Sequence, residues 1–203
     1  MGRSRHTDTS KRLSWLLRHG APSLGIAMDA AGWVAVADVL RALRLTRAEL
    51  TEVVELNTKS RLDVRGEQIR ASQGHSTEGM PVTHDALEAS WERFVGEGPI
   101  WHGTAVEALR GIAREGIVPQ ARTHVHLADA LDSKVGKRAS VDVMIEVSTA
   151  RLGELGIGVF QSQNGVLLAR RVPPEAITGI RTLSERARRE EHALRALLAA
   201  HLA

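Results

Sequence analysis

The chain has no cysteine and no tyrosine in 203 residues, and only 3% of it is aromatic, as four tryptophans and two phenylalanines. Without cysteine there is no disulfide framework, thiolate metal site or cysteine nucleophile, so structural zinc is not expected and a reducing, cytoplasmic setting is. Long apolar runs are missing as well. Nothing approaches the roughly 20 apolar residues a membrane-spanning helix needs, and Met1 to Asp8 is polar where a secretory leader would have its apolar segment. No membrane partner is expected. The formal net charge is only +3, but residues 1–76 hold 12 Lys/Arg against 8 Asp/Glu while residues 77–203 hold 15 against 16. The first part is thus the better candidate for a polyanionic partner. With 43% hydrophobic and 25% charged residues, the chain reads as an ordinary globular protein, long enough for one domain or two small ones.

The stretch Ile69-Arg70-Ala71-Ser72-Gln73-Gly74-His75-Ser76 packs polar donors into a few residues and contains no carboxylate. Such a run suits a bound anion, a phosphate above all, since Arg offers a planar fork and Gly lets backbone N–H groups come close. Leu17-Arg18-His19-Gly20, His102-Gly103-Thr104 and Arg122-Thr123-His124-Val125-His126 repeat the theme far apart in sequence, as the pieces of a composite active site do. Each piece has a blander reading. Arg18 and His19 suit the last turn of a capped surface helix, and His102-Gly103-Thr104 suits an ordinary strand-to-helix turn. Arg122 suits a solvent-facing loop. His124 and His126, two apart, share a face of a strand and could suit a metal, though with no third ligand close by, no metal is expected.

Periodicity predicts a helix from Thr9 to His19 stopped by Gly20. A short strand or turn at Gly32–Val36 should lead into a helix over Asp38–Leu43. The capping box Thr46-Arg47-Ala48-Glu49 opens another helix, with Leu50, Val53, Val54 and Leu56 inward. Leu62–Val64 and Gln68–Arg70 should form a hairpin about Arg65-Gly66-Glu67. Helices followed by a hairpin suggest a winged-helix-like module. Further on come a helix over His84–Val95 and a strand Ile100–His102 entering a Gly103-Thr104 turn. A helix over Ala105–Glu115 follows, closed by Gly116. Strands are expected at Val125–Leu127, Val141–Val147 and Gly165–Ala169, with a turn at Asn164-Gly165 and one terminal helix from Ser184. In that helix Arg186, Arg188, Arg189 and Arg195 should form a solvated face.

With these pieces in order, the chain resembles the NAD-dependent RNA 2′-phosphotransferases of the tRNA-splicing type. The resemblance runs from about Ser10 to Ile177 over seven collinear motifs: Leu16-Leu17-Arg18-His19, Asp29-Ala30-Ala31-Gly32-Trp33-Val34, Lys59-Ser60-Arg61, Ile69 to Ser76, His102-Gly103-Thr104, Arg122 to Leu127 and Asn164-Gly165-Val166. It implies an α+β, bilobal enzyme: a winged-helix-like RNA lobe over 1–78, a linker over 79–99, and an ADP-ribosyltransferase-like, mixed-sheet NAD lobe over 100–203. Its implied substrates are NAD and an RNA with an internal 2′-phosphate, and a monomer is expected. In the implied reaction the 2′-phosphate displaces nicotinamide from NAD. The neighbouring ribose hydroxyl then attacks phosphorus, leaving 2′-OH RNA and ADP-ribose 1″,2″-cyclic phosphate.

The resemblance makes Arg18, His19, Arg70 and Arg122 the essential set, the arginines gripping the 2′-phosphate and His19 donating to it. It assigns His102, Gly103, Thr104, His124, His126, Asn164, Gly165 and Val166 to NAD, and Lys59, Arg61, Gln73, Gly74, His75 and Ser76 to RNA. Protein-modifying ADP-ribosyltransferases often use a Tyr and a catalytic Glu. This chain has no Tyr, and no acid near Asn164-Gly165-Val166, which favours a phosphate acceptor, already anionic and in no need of a general base. Trp15 and Trp101 stand where the family usually has Tyr, Leu62 and Leu167 where aromatics are common, and Val118-Pro119-Gln120 departs from the usual lead-in to Arg122. Two alternatives use some of the same residues: an ADP-ribosyltransferase capping terminal phosphates of nucleic acid, and a non-enzymatic winged-helix binder.

Overall fold

The computed structural model describes residues 3–57, 60–133 and 141–199. It divides into two compact units. The first comprises Met1–Glu92 with Ala121–Thr123 and Ser162–Asn164; the second comprises Arg93–Gln120, His124–Gln161 and Gly165–Ala203.

The first unit opens with helix α1 (Arg3–Trp15), which runs into a π-helical turn, Leu16–Gly20, and a 3₁₀ turn, Pro22–Leu24. Leu13, Leu16, Leu17 and Ala21 recur at helical spacing and are fully buried, which anchors this segment to the core. Gly20 does not stop the helix. The residue after it, Ala21, is still right-handed, and the reversal comes at Gly25, whose φ of 68° is left-handed. Strand β1 (Val34–Ala35) leads into α2 (Val36–Leu43), and α3 (Arg47–Glu55) begins at the expected capping box, with both reciprocal bonds between Thr46 and Glu49 present. Leu50 and Val53 face inward, but Leu56 is 55% exposed, because the helix has ended at Glu55 and Leu56 caps it.

Strands β2 (Leu62–Arg65) and β3 (Gln68–Ala71) form the expected hairpin, and β1 adds on the other side of β3. Arg65 pairs with Gln68, so the turn is only Gly66-Glu67, with Gly66 at φ 53°. Helix α4 (His84–Ala89) is shorter than the predicted His84–Val95, and β4 (Glu92–Arg93) follows it.

The second unit contains β5 (Pro99–Thr104), a 3₁₀ turn (Val106–Ala108), α5 (Leu109–Glu115), β6 (Val125–Leu127), β7 (Val143–Ser148), α6 (Thr149–Glu154), β8 (Phe160–Gln161), β9 (Leu167–Ala169) and β10 (Ile177–Thr182). Two sheets result, ordered β10-β7-β5 and β4-β8-β9-β6. The expected mixed sheet is corrected here: the pairs β10–β7, β5–β7, β6–β9 and β8–β9 are all antiparallel. The reason is connectivity. A parallel pair needs a crossover returning to the same sheet, whereas α5 and α6 each join strands of different sheets. Trp101 and Ala128 exchange both backbone hydrogen bonds at 2.8 Å, linking β5 to the end of β6. The predicted terminal helix is two, α7 (Glu185–Arg189) and α8 (Glu191–Ala199), broken at Glu190. Their Ala187, Leu194 and Leu198 join the core of this unit, while Arg186, Arg188, Arg189 and Arg195 are exposed as expected.

Candidate active site

The site in the first unit starts from the π turn. A π turn closes i to i+5 and often marks a functional position in a helix; here it presents Arg18 half-buried and His19 exposed. Ser76 binds this turn twice. Its backbone N–H donates to Arg18 O at 3.0 Å, and its Oγ lies 2.7 Å from His19 Nδ1.

Ser76 also recruits the most distant member of the set. Residues 75–77 run antiparallel to residues 121–123: Thr77 N–H donates to Ala121 O, Thr123 N–H donates to His75 O, both at 3.1 Å, and Ser76 stands opposite Arg122. Opposed residues of an antiparallel pair project to one side, so Arg122 emerges on the side where Ser76 meets His19. His84 steadies the strip by donating from Nε2 to Thr123 O at 2.9 Å.

The electrostatics record the convergence. Arg18 is pushed down to about 10 by burial and then by the positive charges of Arg122 and Arg61. Burial, Arg18 and Arg122, in that order, hold the His19 imidazole below its usual value. Four basic side chains therefore crowd together, and each penalty would be relieved by an anion. Arg18 Nε is moreover buried with no hydrogen-bond partner among the described residues, a state that buried donors seldom keep without a ligand.

Arg70 is placed differently. It is 1% exposed, stands opposite Asp63 in the hairpin register, and donates from Nε to Asp63 Oδ2 at 3.0 Å. Its Nη1 donates to Ser90 Oγ at 2.7 Å and Ala31 O at 3.3 Å, and its guanidinium carbon lies 4.6 Å from the centroid of the Trp33 ring. Nη2 alone is buried with no partner among the described residues. The same carboxylate accepts from Ser72 Oγ at 2.8 Å, and Trp91 Nε1–H donates to Ser72 O at 3.0 Å. Asp63 thus holds both ends of Arg70-Ala71-Ser72, the start of the donor-rich run. Beyond it Gln73 is 7% exposed and His75 wholly buried. Gly74 has φ 88°, and a Cβ on Gly32 would come within 2.6 Å of His75 Nε2, so Gly32 makes the room that His75 fills.

In the second unit, His102, Gly103 and Thr104 lie within β5, opposite Ile145, Met144 and Val143, and not in a turn. His102 Nδ1 donates to His126 O at 3.0 Å; a carbonyl only accepts, so the neutral ring keeps its proton on Nδ1 and its acceptor character on Nε2. His126 is half-buried, while His124, Thr104 and Val166 are buried. Gly165 turns the β8–β9 hairpin at φ 79°. Asn164, which accepts from Ser162 Oγ at 2.8 Å, belongs to the first unit.

A family model described as RNA 2′-phosphotransferase, Tpt1 / KptA family, matches residues 4–171. The chain belongs to that family. It is 36% identical over 190 residues to a protein of Pseudomonas syringae pv. tomato named "Probable RNA 2'-phosphotransferase", a match covering 89% of this chain and 97% of that one. Proteins with the same name from Pseudomonas aeruginosa UCBPP-PA14 (38% over 182 residues, 85% and 96% covered) and Nostoc punctiforme (36% over 189 residues, 89% and 100% covered) match similarly.

Of the residues singled out from sequence in this RNA 2′-phosphotransferase relative, the structure brings together Arg18, His19, Arg61, Ser76 and Arg122. It seats Arg70 among Asp63, Ser90, Ala31 and Trp33, and Lys59 lies outside the described residues. Sequence reasoning missed Asp63 and His84. The expected turn Arg65-Gly66-Glu67 would set Asp63 opposite Ile69; the observed pairing of Arg65 with Gln68 sets it opposite Arg70.

Proposed function

We propose that this chain removes the internal 2′-phosphate of an RNA by transferring it to NAD, and that the first unit is a winged-helix-like RNA lobe and the second an ADP-ribosyltransferase-like NAD lobe. The observation that carries the reading is the crowding of Arg18, His19, Arg61 and Arg122 about Ser76. Burial and the neighbouring positive charges lower the proton affinity of Arg18 and of His19, as suits a dianion with one proton to exchange.

Arg18 and Arg122 grip the phosphoryl oxygens, and Ser76 orients His19 through Nδ1. The lowered proton affinity keeps His19 neutral in the free protein. A bound dianion offsets the charges of Arg18 and Arg122 and lets the ring take a proton, which it then donates toward the departing 2′-oxygen. Arg70 contributes through Nη2, its other donors being spent on the protein. Arg61, Gln73, Gly74 and Lys59 serve the RNA, while His75, wholly buried against Gly32, shapes the run from within.

For NAD, the donor set of the second unit fits. His102, which donates from Nδ1 to His126 O, lies with Gly103, Thr104, His124, His126, Gly165 and Val166 among the residues assigned to it, whereas Asn164 belongs to the first unit. NAD supplies the acceptor sugar carbon and its nicotinamide leaving group.

The test is incubation with NAD and an RNA bearing an internal 2′-phosphate. Expected products are nicotinamide, 2′-OH RNA and the cyclic phosphate of ADP-ribose. Arg18→Ala should lose on the order of 10²–10³ in turnover, as removal of one charge-stabilising donor does elsewhere, without loss of fold. A lasting ADP-ribose adduct on the RNA would point to phosphate capping instead, and NAD left untouched would refute the enzyme.

A further inference from the structure

Of the four tryptophans, Trp33, Trp91 and Trp101 are 6–8% exposed, whereas Trp15 is 50% exposed. A half-open indole on a helix is the exception in this chain, and its position is specific. Trp15 is the last residue of α1, directly before the π turn that carries Arg18 and His19, and residues three and four apart share a helix face. The widened turn sets Gly20, five residues on, against Trp15. A Cβ on Gly20 would lie 2.4 Å from two carbons of the indole benzo ring. The ring is therefore laid along the turn, held by close approach to a glycine, with half its surface open beside a cluster of cations.

We propose that the Trp15 indole is a stacking platform for a nucleobase of the RNA next to its 2′-phosphate. The cations select a phosphate, but inorganic phosphate, ribose phosphates and RNA all carry one; an aromatic surface one helical turn away adds the ability to tell a nucleic acid from a bare anion. Stacking suits that task because every base has a π face and the contact tolerates sequence. The proposal rests on the reading of Arg18, His19 and Arg122 as the 2′-phosphate site and adds to it a residue that discriminates by base rather than by charge.

Trp15 is half exposed and the other three tryptophans are buried, so the intact protein reports directly. Titration with a short RNA carrying an internal 2′-phosphate should quench the solvent-exposed part of the tryptophan emission. The same RNA made abasic on both sides of the phosphate should bind without that quench. Trp15→Ala should raise KM for the base-containing RNA about fivefold or more, leave KM for the abasic RNA near its own value, and put the loss in KM rather than kcat. Trp15→Phe, which keeps a ring against Gly20, should stay within about twofold of wild type. Equal quenching by abasic RNA, the same quench from NAD alone, or an equal KM rise for both RNAs in Trp15→Ala would overturn the proposal. Phosphate-dependent binding without base-dependent quenching sinks it alone, whereas binding that ignores the 2′-phosphate sinks the phosphate reading with it.

Discussion

Asp63→Ala would strip the carboxylate from a guanidinium that has nowhere else to go. The Arg70 and Asp63 side chains are 1% and 5% exposed, so solvent screening is negligible, and leaving one member of a buried pair uncompensated typically costs about 3–5 kcal/mol. Ser72 Oγ loses an acceptor at the same time. Against a total stability of about 5–15 kcal/mol for an ordinary domain this is a large fraction. With a urea m-value of about 2 kcal/mol/M the midpoint should fall by roughly 2 M. Urea unfolding followed by tryptophan emission is suited to the measurement, because Trp33 packs against Arg70 and Trp91 bonds the Ser72 carbonyl. Replacing both partners, Asp63→Leu with Arg70→Met, should recover most of the loss, since apolar groups of similar volume substitute for buried ion pairs at little cost. That double variant should still not turn over a 2′-phosphorylated RNA, because Nη2 has gone. A loss below about 1 kcal/mol for Asp63→Ala would refute the buried-pair reasoning, and full turnover by the double variant would reduce Arg70 to scaffold.

Arg122→Ala should raise the His19 pKa, read from its imidazole protons by NMR, since Arg122 is one of the causes holding it down; an unchanged titration would separate the two residues. The folded His19 binds its proton less tightly than the unfolded chain does. Its contribution to stability is therefore present above the ordinary imidazole value of about 6.5 and is lost as pH falls through the folded value. The urea midpoint of the first unit should decline across that window, less steeply in Arg122→Ala. Gly32→Ala, at φ 85° and with its Cβ 2.6 Å from the His75 ring, should destabilise by about 1–3 kcal/mol, and an unshifted melting curve would show that His75 can move aside.

Local chemistry made much of the fold legible. The Thr46–Glu49 box and the β2–β3 hairpin rest on contacts between residues a few positions apart; the box forms as read, and the hairpin forms with a turn one residue shorter than read. Gly20 shows the limit. A glycine after a helical run reads as a stop, but here it accommodates the Trp15 ring and the chain runs on to Gly25. His102-Gly103-Thr104 reads as a turn for the same reason and is a strand, because pairing with Met144 and Val143 decides it. The site divides along the same line. Arg18, His19 and Ser76 were visible as residue types, but their meeting depends on the pairing of 75–77 with 121–123, which no local signal announces. Arg70 read as one donor of the run among several, and its seat against Asp63 across the hairpin sets it apart.

The cation cluster also predicts how the protein should respond to an anion. Asp63 is bound to Arg70 and Ser72, so it does not neutralise the group about Ser76, and the charges acting on Arg18 and His19 are those of other cations. The free protein thus carries a repulsion that its fold sustains and that a phosphoanion would remove. Anything that binds the native state alone stabilises it by RT ln(1 + [L]/Kd), about 2.7 kcal/mol at a ligand concentration a hundredfold over Kd. A 2′-phosphorylated nucleotide should therefore raise the unfolding midpoint of the first unit in proportion to the logarithm of its concentration. The shift should shrink in Arg18→Ala and Arg122→Ala and in high salt. Binding should take up a proton near neutral pH as His19 regains its charge, so calorimetric heats should change with the ionisation enthalpy of the buffer. Heats independent of buffer would show that His19 keeps its protonation state when the phosphate arrives, and its role as proton donor would have to pass to another group.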